Sequence, residues 1–277
     1  MRLAQILLDD APPRQRRLQA LDRAALASRI DVVTIPLERR HTAIALRDAL
    51  GSARAEVAHL YAPELFPGSL LEAIQIPVLA SGTAQRSRLP WRKTKQPDAI
   101  LGRSPEGREP EAVDPGYFGI STGGTPTSFR IGCHAATRSA RALADGTKHR
   151  IERFRDDIRW MYFRETPAPS EIGLLNVWVD AEPAGDGVEN GVREALAAGR
   201  AVVAVATPAN RETLEGGAAG FLVPPEDPNE TAHAVLAALF KPELRDPRIA
   251  RGRKLAEGWR PERRADRLLE IYQRLRS

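Results

Sequence analysis

Short apolar runs alternate along the chain with longer segments whose apolar residues recur at helical spacing. In the first hundred residues the short runs are rich in Val, Ile and Leu, so they predict buried strands. These runs are Leu3–Leu8, Ile30–Leu37, Glu56–Tyr61 and Pro77–Ala80. The segments between them predict helices, at Arg14–Leu26, at His41–Leu50 with Gly51 closing it, and at Leu65–Ile74.

The alternation stops and then resumes. Residues 81–128 are rich in Gly, Pro, Ser, Thr and basic residues, which places a domain boundary within residues 110–125. The strands predicted beyond it are Phe129–Ala135, Ile158–Phe163, Leu174–Val179, Ala201–Ala206 and Gly220–Val223. The helices predicted there are Thr137–Asp157, Asn190–Ala198 with Gly199 closing it, Thr231–Phe240 and Arg263–Leu275. This order predicts an α/β fold class, with parallel sheets covered by helices on both faces.

The composition narrows the class of protein. Of the 277 residues, 42% are apolar and 28% are charged, which is ordinary for a globular chain and excludes a mainly disordered one. Cys133 is the single cysteine, so an intrachain disulfide and a cysteine-based zinc site are excluded, and the five histidines have no ligand spacing. No metal is expected. Because the sequence has no long apolar stretch and no signal peptide, we expect a cytoplasmic protein.

The basic residues concentrate in one segment. The net charge is +5, and the segment from Ala84 to Arg103 has six basic residues against Asp98. The part from Arg86 to Lys95 is a candidate for peripheral contact with the inner face of the membrane, or with an anionic acceptor. A solvated loop is the alternative. Trp91 is the only aromatic residue among these bases and no nucleic-acid motif is present, so no nucleic-acid partner is expected.

Two carboxylates stand out in the second half of the chain. Asp186 and Glu194 are eight residues apart, with Asp186-Gly187 expected in a loop and Glu194 about one turn into the helix that follows. The start of a helix is suited to anions such as phosphate, because its backbone N–H groups are free. A carboxylate there can accept hydrogen bonds from two ribose hydroxyls. A surface carboxylate favoured by the helix dipole is the alternative.

A family resemblance rests on these carboxylates and on the motifs that follow. Those motifs are Asp186-Gly187, Glu194-Ala195, Ala197-Ala198-Gly199, Asn210-Arg211-Glu212 and the run from Gly220 to Pro228. From Asn176 onward the chain resembles the nucleotide-sugar domain of family 4 (group 1) glycosyltransferases. Upstream, the segment from Ala112 to Phe118 resembles the interdomain segment of that family. Trp259 and the helix through Tyr272 resemble its last helices.

The resemblance implies a GT-B fold, which consists of two Rossmann-like domains facing a cleft. Both domains are reduced in size here. The implied domains are an acceptor-side domain at residues 1–112 and a nucleotide-sugar domain at residues 113–260. The implied last helix, at residues 261–277, packs back toward the first domain. The implied function is transfer of a sugar, with retention, from a nucleotide-diphosphate donor to an unknown glycan, lipid or small-molecule acceptor, with no cofactor beyond the donor itself.

The resemblance also implies roles for individual residues. Glu194 binds the donor ribose, and Asp186 stands near the donor sugar. The backbone N–H groups of Gly187, Val188, Glu189 and Asn190 face the sugar and the diphosphate. Arg138 and Arg141, at the start of the helix after the first strand of this domain, hold the diphosphate through their guanidinium forks. For these two arginines a solvated helix start is the alternative.

Several departures keep other functions open. Asp186 stands where the family more often has Glu, Asp9 to Pro13 replaces a Gly-rich loop, and Ser81-Gly82 stands where a His is usual. Phe118 and Asn176 are 58 positions apart, and the segment between them holds fewer strands and helices than the family has. The chain is therefore interpreted as a shortened and diverged relative. A non-catalytic partner or scaffold for another glycosyltransferase is the alternative, and a sugar epimerase is a third hypothesis. A homo-oligomer and a hetero-oligomer both stay open.

Overall fold

The computed structural model describes residues 1–9, 11, 13–38, 43–61, 66, 70, 73–81, 98–101, 112–120, 128–183 and 191–277. The chain divides into two compact units. The first is formed by Met1–Ala112 together with Trp259–Ser277, and the second by Val113–Gly258. Each unit is built on a parallel sheet with helices, so the predicted α/β class with two Rossmann-like domains is confirmed.

The first unit contains a five-stranded parallel sheet among its described residues. Its elements are β1 (Arg2–Leu8), α1 (Pro13–Leu26), β2 (Asp31–Leu37), α2 (Ala43–Ala53), β3 (Val57–Tyr61), β4 (Val78–Ser81) and β5 (Ala99–Leu101). The strand order is β2-β1-β3-β4-β5. All five residues of β3 are buried, as expected for a central strand that has helices over both faces.

The end of α2 differs from the prediction. Gly51 was predicted to close this helix, but the helix continues through Gly51 to Ala53. The chain instead leaves the helix at Arg54, which has a left-handed φ of 50°. The N–H of Arg54 donates to the carbonyl of Gly51, and the N–H of Ala55 donates to that of Leu50. The predicted helix at Leu65–Ile74 lies largely outside the described residues.

The second unit repeats the same architecture. Its elements are β6 (Phe129–His134), α3 (Arg138–Glu152), β7 (Ile158–Phe163), α4 (Pro169–Ile172), β8 (Val177–Asp180), α5 (Val192–Ala197), β9 (Ala201–Val205), α6 (Pro208–Thr213), β10 (Phe221–Val223), α7 (Pro228–Phe240) and α8 (Pro242–Ala256). Single 3-10 turns lie at Pro115–Tyr117, Glu215–Gly217 and Glu257–Trp259. The sheet order is β10-β9-β8-β6-β7, and its apolar core is formed by the inner faces of these strands with α3 and α7.

Three segments of the second unit correct the prediction. The helix predicted over Thr137–Asp157 ends at Glu152, and residues 153–157 form the turn that leads into β7. The strand predicted over Leu174–Val179 runs from Val177 to Asp180 and is preceded by α4. Helix α8 was not predicted, because it contains Pro247 and buries only Gly252 and Ala256, so it lacks an apolar stripe.

The last helix, α9 (Pro261–Arg276), belongs to the first unit. Ala265, Leu268 and Tyr272 form one face of it, and they pack against Leu3 of β1 and Val57 of β3. Helix α1 covers the same face of the sheet, while α2 covers the opposite face. The first unit is therefore completed by residues from the C-terminal end of the chain.

A layer of buried polar side chains lies between this sheet and the two helices. Arg264 of α9 donates from Nε to Asp22 Oδ1 at 2.7 Å and from Nη2 to Asp22 Oδ2 at 3.1 Å. Tyr61 of β3 also donates its hydroxyl to Asp22, at 3.0 Å. Burial first, and then the charge of Asp22, raise the pKa of Tyr61 well above its usual value. Asp22 therefore has both charged and neutral hydrogen-bond donors inside the unit.

His59 occupies the neighbouring part of this layer. Its Nδ1 lies 2.7 Å from the hydroxyl of Tyr272, and its Nε2 lies 2.7 Å from the hydroxyl of Ser81. Burial, and then the positive charge of Arg264, hold the pKa of His59 well below its usual value. His59 is therefore a neutral bridge that links β3, β4 and α9.

Candidate functional site

The strand order of the second sheet locates its candidate site. Counted along the chain, each sheet has the order 2-1-3-4-5, in which the connections reverse direction between the first and third strands. In open α/β sheets, ligands bind at the carboxyl ends of the strands beside such a reversal. In the second unit the two strands are β6 and β8, which pair in parallel, with His134 opposite Asp180 at their carboxyl ends.

The turn from β6 into α3 is closed by a carboxylate from the neighbouring strand. Thr137 is the N-cap of α3, and its hydroxyl accepts the N–H of Ala140 at 3.2 Å. Glu182, two residues after β8, accepts the N–H groups of Ala136 and Thr137 on Oε1, at 2.6 and 3.0 Å. Its Oε2 accepts the hydroxyl of Thr137 at 2.8 Å. The exits of β6 and β8 are therefore tied together by Glu182.

Asp180 forms a second link at this edge of the sheet. Its Oδ2 accepts the side-chain amide of Asn210 at 2.7 Å, and its Oδ1 lies 3.5 Å from Nδ1 of His134. All three side chains are buried. Burial lowers the pKa of His134, but the carboxylate of Asp180 beside its ring and the negative charge of Glu182 outweigh it, so the pKa is raised. The cluster joins β6, β8 and α6.

Glu194 lies in the first turn of α5. It is the third residue of this six-residue helix and is half-buried. The N-cap is Gly191, whose φ is 74°. A Cβ atom on Gly191 would lie 2.8 Å from the ring of Trp178, so glycine is required there both by the backbone and by the packing. Trp178 and Gly191 therefore fix where α5 begins and, through it, where Glu194 lies.

The structure separates the two arginines predicted for the diphosphate. Arg138 is the first residue of α3 and is exposed, one residue beyond the turn that Glu182 closes. Arg141 donates to both carboxylate oxygens of Asp145 at 3.2 Å, and its guanidinium lies 3.5 Å from the ring centre of Tyr162. A hydrogen bond from Tyr162, and then the pair with Arg141, lower the pKa of Asp145. Arg138 is therefore the better placed of the two for a ligand.

The remaining predicted site residues are Asp186, Gly187, Val188, Glu189 and Asn190, which lie outside the described residues. The basic segment from Arg86 to Lys95 lies outside them as well. Within the residues that the structure describes, no group of three or more His, Cys, Asp or Glu side chains is arranged to hold a metal ion. No helix in the same part of the chain combines the length and the apolar character needed to cross a membrane.

Sequence reasoning missed the roles of four buried residues at this edge. The sequence showed His134 only as one of five histidines without ligand spacing. Cys133 is buried, and burial followed by the charge of Asp180 raises its pKa. Asp180, Glu182 and Asn210 were not singled out as a cluster. The sequence did contain a signal for Asp180 and Glu182. Carboxylates at or just after the end of a buried strand lie at the carboxyl edge of a parallel sheet.

One family model is similar to part of the second unit. Residues 134–240 match the family model of the glycosyl transferases group 1. This part of the second unit is therefore similar to the group 1 glycosyl transferases. The resemblance found in the sequence is confirmed to that level, and assignment to family 4 stays a prediction. The matched segment begins at His134 and contains α3, β8, α5 and α6, so it includes the whole described site.

Solved structures extend the likeness to both units. The glycosyltransferase from Rickettsia africae ESF-5 has 10% identity and a TM-score of 0.69, over 99% of this chain and 98% of that one. Sucrose-phosphate synthase from Thermosynechococcus elongatus has 13% identity and a TM-score of 0.66, over 99% of each chain. The Anabaena protein HepE, solved with UDP and glucose, has 11% identity and a TM-score of 0.64, over 97% of this chain and 99% of its own.

The TM-scores and the coverage show a shared fold, and the predicted GT-B class is confirmed. No curated protein sequence matches the chain significantly.

Proposed function

We propose that the chain is a glycosyltransferase that moves a sugar from a nucleoside-diphosphate donor to an acceptor. The observation that carries the proposal is the match of residues 134–240 to the group 1 family, because that segment surrounds the carboxyl ends of β6 and β8. A UDP-sugar is the donor class to test first, since HepE was solved with UDP and glucose. The acceptor class is a glycan, a lipid or a small molecule.

The residues of the second unit have separate tasks in this proposal. Glu194 accepts hydrogen bonds from the two ribose hydroxyls, and the half-burial of its side chain strengthens those bonds. Arg138 holds the diphosphate with its guanidinium fork. Asp186 and the backbone from Gly187 to Asn190 face the donor sugar. Arg141 is assigned no contact with the donor, because its guanidinium is held by Asp145 and Tyr162.

The proposed reaction exchanges one bond for another at the anomeric carbon. The bond from that carbon to the phosphate oxygen breaks, and a bond to the acceptor oxygen forms on the same face of the sugar, which is retention. The diphosphate leaves with the bonding electron pair, and the acceptor proton is lost to solvent or to the leaving group. Arg138 and backbone N–H groups stabilise the charge that develops on the diphosphate.

Donor turnover tests the proposal. Proton NMR of the protein with UDP-glucose, with and without a panel of sugar and lipid acceptors, would report loss of the donor anomeric signal. We expect slow release of UDP even with water as acceptor, and a first-formed sugar with the α configuration of the donor. Glu194→Gln should slow the release of UDP about tenfold or more, because one charged hydrogen-bond acceptor is lost. No turnover with any donor or acceptor would contradict the catalytic proposal, and a β product would contradict retention.

A non-catalytic relative is the second candidate, and one observation favours it. The resemblance implies a histidine at the end of β4, but Ser81 lies there instead. The hydroxyl of Ser81 is hydrogen-bonded to the buried His59. A protein of this kind would bind a nucleotide sugar without consuming it. Binding of UDP-glucose with no turnover would therefore support this candidate over the first.

A further inference from the structure

The carboxylate of Glu182 contacts the turn between β6 and α3, at the candidate site. Its side chain is 7% exposed and accepts three hydrogen bonds, from two backbone N–H groups and one hydroxyl, at 2.6–3.0 Å. All three donors belong to Ala136 and Thr137, between the end of β6 and the start of α3. The carboxylate therefore fixes that turn from the side of β8.

The same residue is joined to the buried cluster beneath it. The backbone N–H of Glu182 donates to Oδ1 of Asp180 at 3.3 Å, and Oδ2 of Asp180 accepts the amide of Asn210 at 2.7 Å. Asn210 in turn donates to the carbonyl of Val205 at 2.9 Å. The hydrogen bonds of Glu182, Asp180 and Asn210 are therefore continuous, and we call these three residues the frame. The frame connects the carboxyl ends of β6, β8 and β9 with the first turn of α6.

The frame is adjacent in sequence to the residues that are predicted to bind the donor. Arg138 follows Thr137 directly, so the backbone that Glu182 holds is the backbone that presents Arg138. Residues 184–190, which contain the residues predicted to bind the donor, begin two positions after Glu182. The N–H groups of Ala136 and Thr137 are already bonded, so a phosphate at this turn would have the side chain of Arg138 as its partner instead.

We propose that Glu182 is a positioning residue for donor binding, which sets the β6–α3 turn and thereby the location of Arg138. The inference rests on the proposed function, since it names how the same site holds its diphosphate. It assigns to Glu182 no contact with the donor. We expect this role to depend on the hydrogen bonds of Glu182 rather than on its charge. A variant that keeps the hydrogen bonds and loses the charge, Glu182→Gln, therefore tests it.

Two substitutions distinguish the effect of the hydrogen bonds from the effect of the charge. In Glu182→Gln the side-chain oxygen still accepts both N–H groups, and the amide nitrogen can donate to the hydroxyl of Thr137. In Glu182→Ala the two N–H groups lose their acceptor, and the turn is free to shift. Since a small misplacement of a binding group can weaken its effect up to about a hundredfold, we expect UDP to bind Glu182→Ala roughly tenfold or more weakly. Glu182→Gln should stay within about threefold of wild type on the same reasoning.

A matched control removes a carboxylate of similar structural role elsewhere in the same unit. Glu171 accepts the N–H of Ala168 at 2.7 Å and caps α4. Glu171→Ala should lower thermal stability and leave the affinity for UDP unchanged. Titration calorimetry with UDP, at a temperature where every variant is folded by circular dichroism, gives the comparison. If Glu182→Ala does not fold, Glu182→Asp replaces it, because its shorter carboxylate cannot reach both residues.

The outcomes are distinct. Weaker binding by the Ala or Asp variant, with binding restored in Glu182→Gln, supports the proposal. Unchanged binding by the Ala or Asp variant overturns it, and tighter binding also overturns it by showing that the carboxylate competes with phosphate for the turn. Loss of binding in Glu182→Gln as large as in Glu182→Ala overturns the hydrogen-bonding role. Absence of UDP binding by the wild-type chain contradicts the proposed function as well, whereas the other results contradict this inference alone.

Discussion

Arg264 of the last helix holds Asp22 of the first helix in a two-pronged ion pair, across 242 residues of sequence. The two side chains are 3% and 1% exposed, so the pair is shielded from water. Pairing satisfies both charges, but either charge left alone would be costly inside the first unit. The pair therefore makes the folding of residues 1–112 depend on the C-terminal helix.

Asp22→Ala should destabilise the first unit strongly. The substitution leaves the guanidinium of Arg264 buried without its carboxylate, which costs about 3–5 kcal/mol for a buried pair. The measurement is the free energy of unfolding in urea. Asp266→Ala is the matched control, because it removes an exposed ion pair of α9 with Arg29 and should cost below about 1 kcal/mol. Equal losses in the two variants would contradict the role assigned to the buried pair.

Gly191→Ala should displace α5. The added Cβ would lie 2.8 Å from the ring of Trp178, on a residue whose φ is 74°. A cost of about 1–3 kcal/mol is expected from backbone strain and crowding. Because Glu194 is carried by α5, nucleotide affinity should fall together with stability. Gly51→Ala is the control, since nothing lies within 4 Å of its Cβ and the helix continues through it. A Gly191→Ala variant with wild-type melting temperature would rule out this packing argument.

Asn210→Ala should destabilise the second unit. The substitution removes the amide that donates to Asp180 at 2.7 Å and to the carbonyl of Val205 at 2.9 Å. Buried acceptors that lose their donor cost about 1–3 kcal/mol. Urea unfolding at neutral pH measures the loss. Asn229→Ala is the control, because it removes an exposed side-chain hydrogen bond with Arg150 and should cost below about 1 kcal/mol.

His134 should make the stability of the second unit depend on pH. Its pKa in the folded chain is raised, since Asp180 and Glu182 outweigh the effect of burial. Protonated His134 therefore stabilises the fold fully below about pH 6.5, its unfolded pKa, and the contribution is lost as pH rises through the higher folded pKa. The difference in unfolding free energy between wild type and His134→Gln should thus be larger at pH 6 than at pH 8.5. A difference that grows with pH would contradict the assignment.

The sequence was sufficient to predict the alternating elements but not all of their ends. Apolar runs such as Ala201–Val205 are buried on both faces, so they show as strands without any knowledge of their neighbours. Helix α8 could not be found this way, because it packs by close approach rather than by an apolar stripe. Its Gly252 lies so near Leu196 that an added Cβ would be 2.6 Å from that side chain.

The candidate site was predicted in part for a similar reason. Glu194 was singled out because a carboxylate in the first turn of a helix is visible in the local pattern, and its role in binding stays a prediction. Glu182, Asp180 and Asn210 come together only through parallel pairing of β6 with β8 and the return of the chain at α6. Proximity of that kind depends on strand order, which local periodicity does not contain.

Calorimetric titration with UDP and UDP-glucose tests the central claim, that the second unit binds a nucleotide-sugar donor through Glu194. The wild-type chain should bind, and Glu194→Ala should bind about ten- to a hundredfold more weakly, as expected when a charged hydrogen-bond acceptor worth roughly 1.5–3 kcal/mol is lost. Glu152→Ala removes a carboxylate of α3 that pairs with Lys148, and this variant should bind as wild type does. No binding by the wild-type chain, or equal binding by Glu194→Ala, would contradict the account.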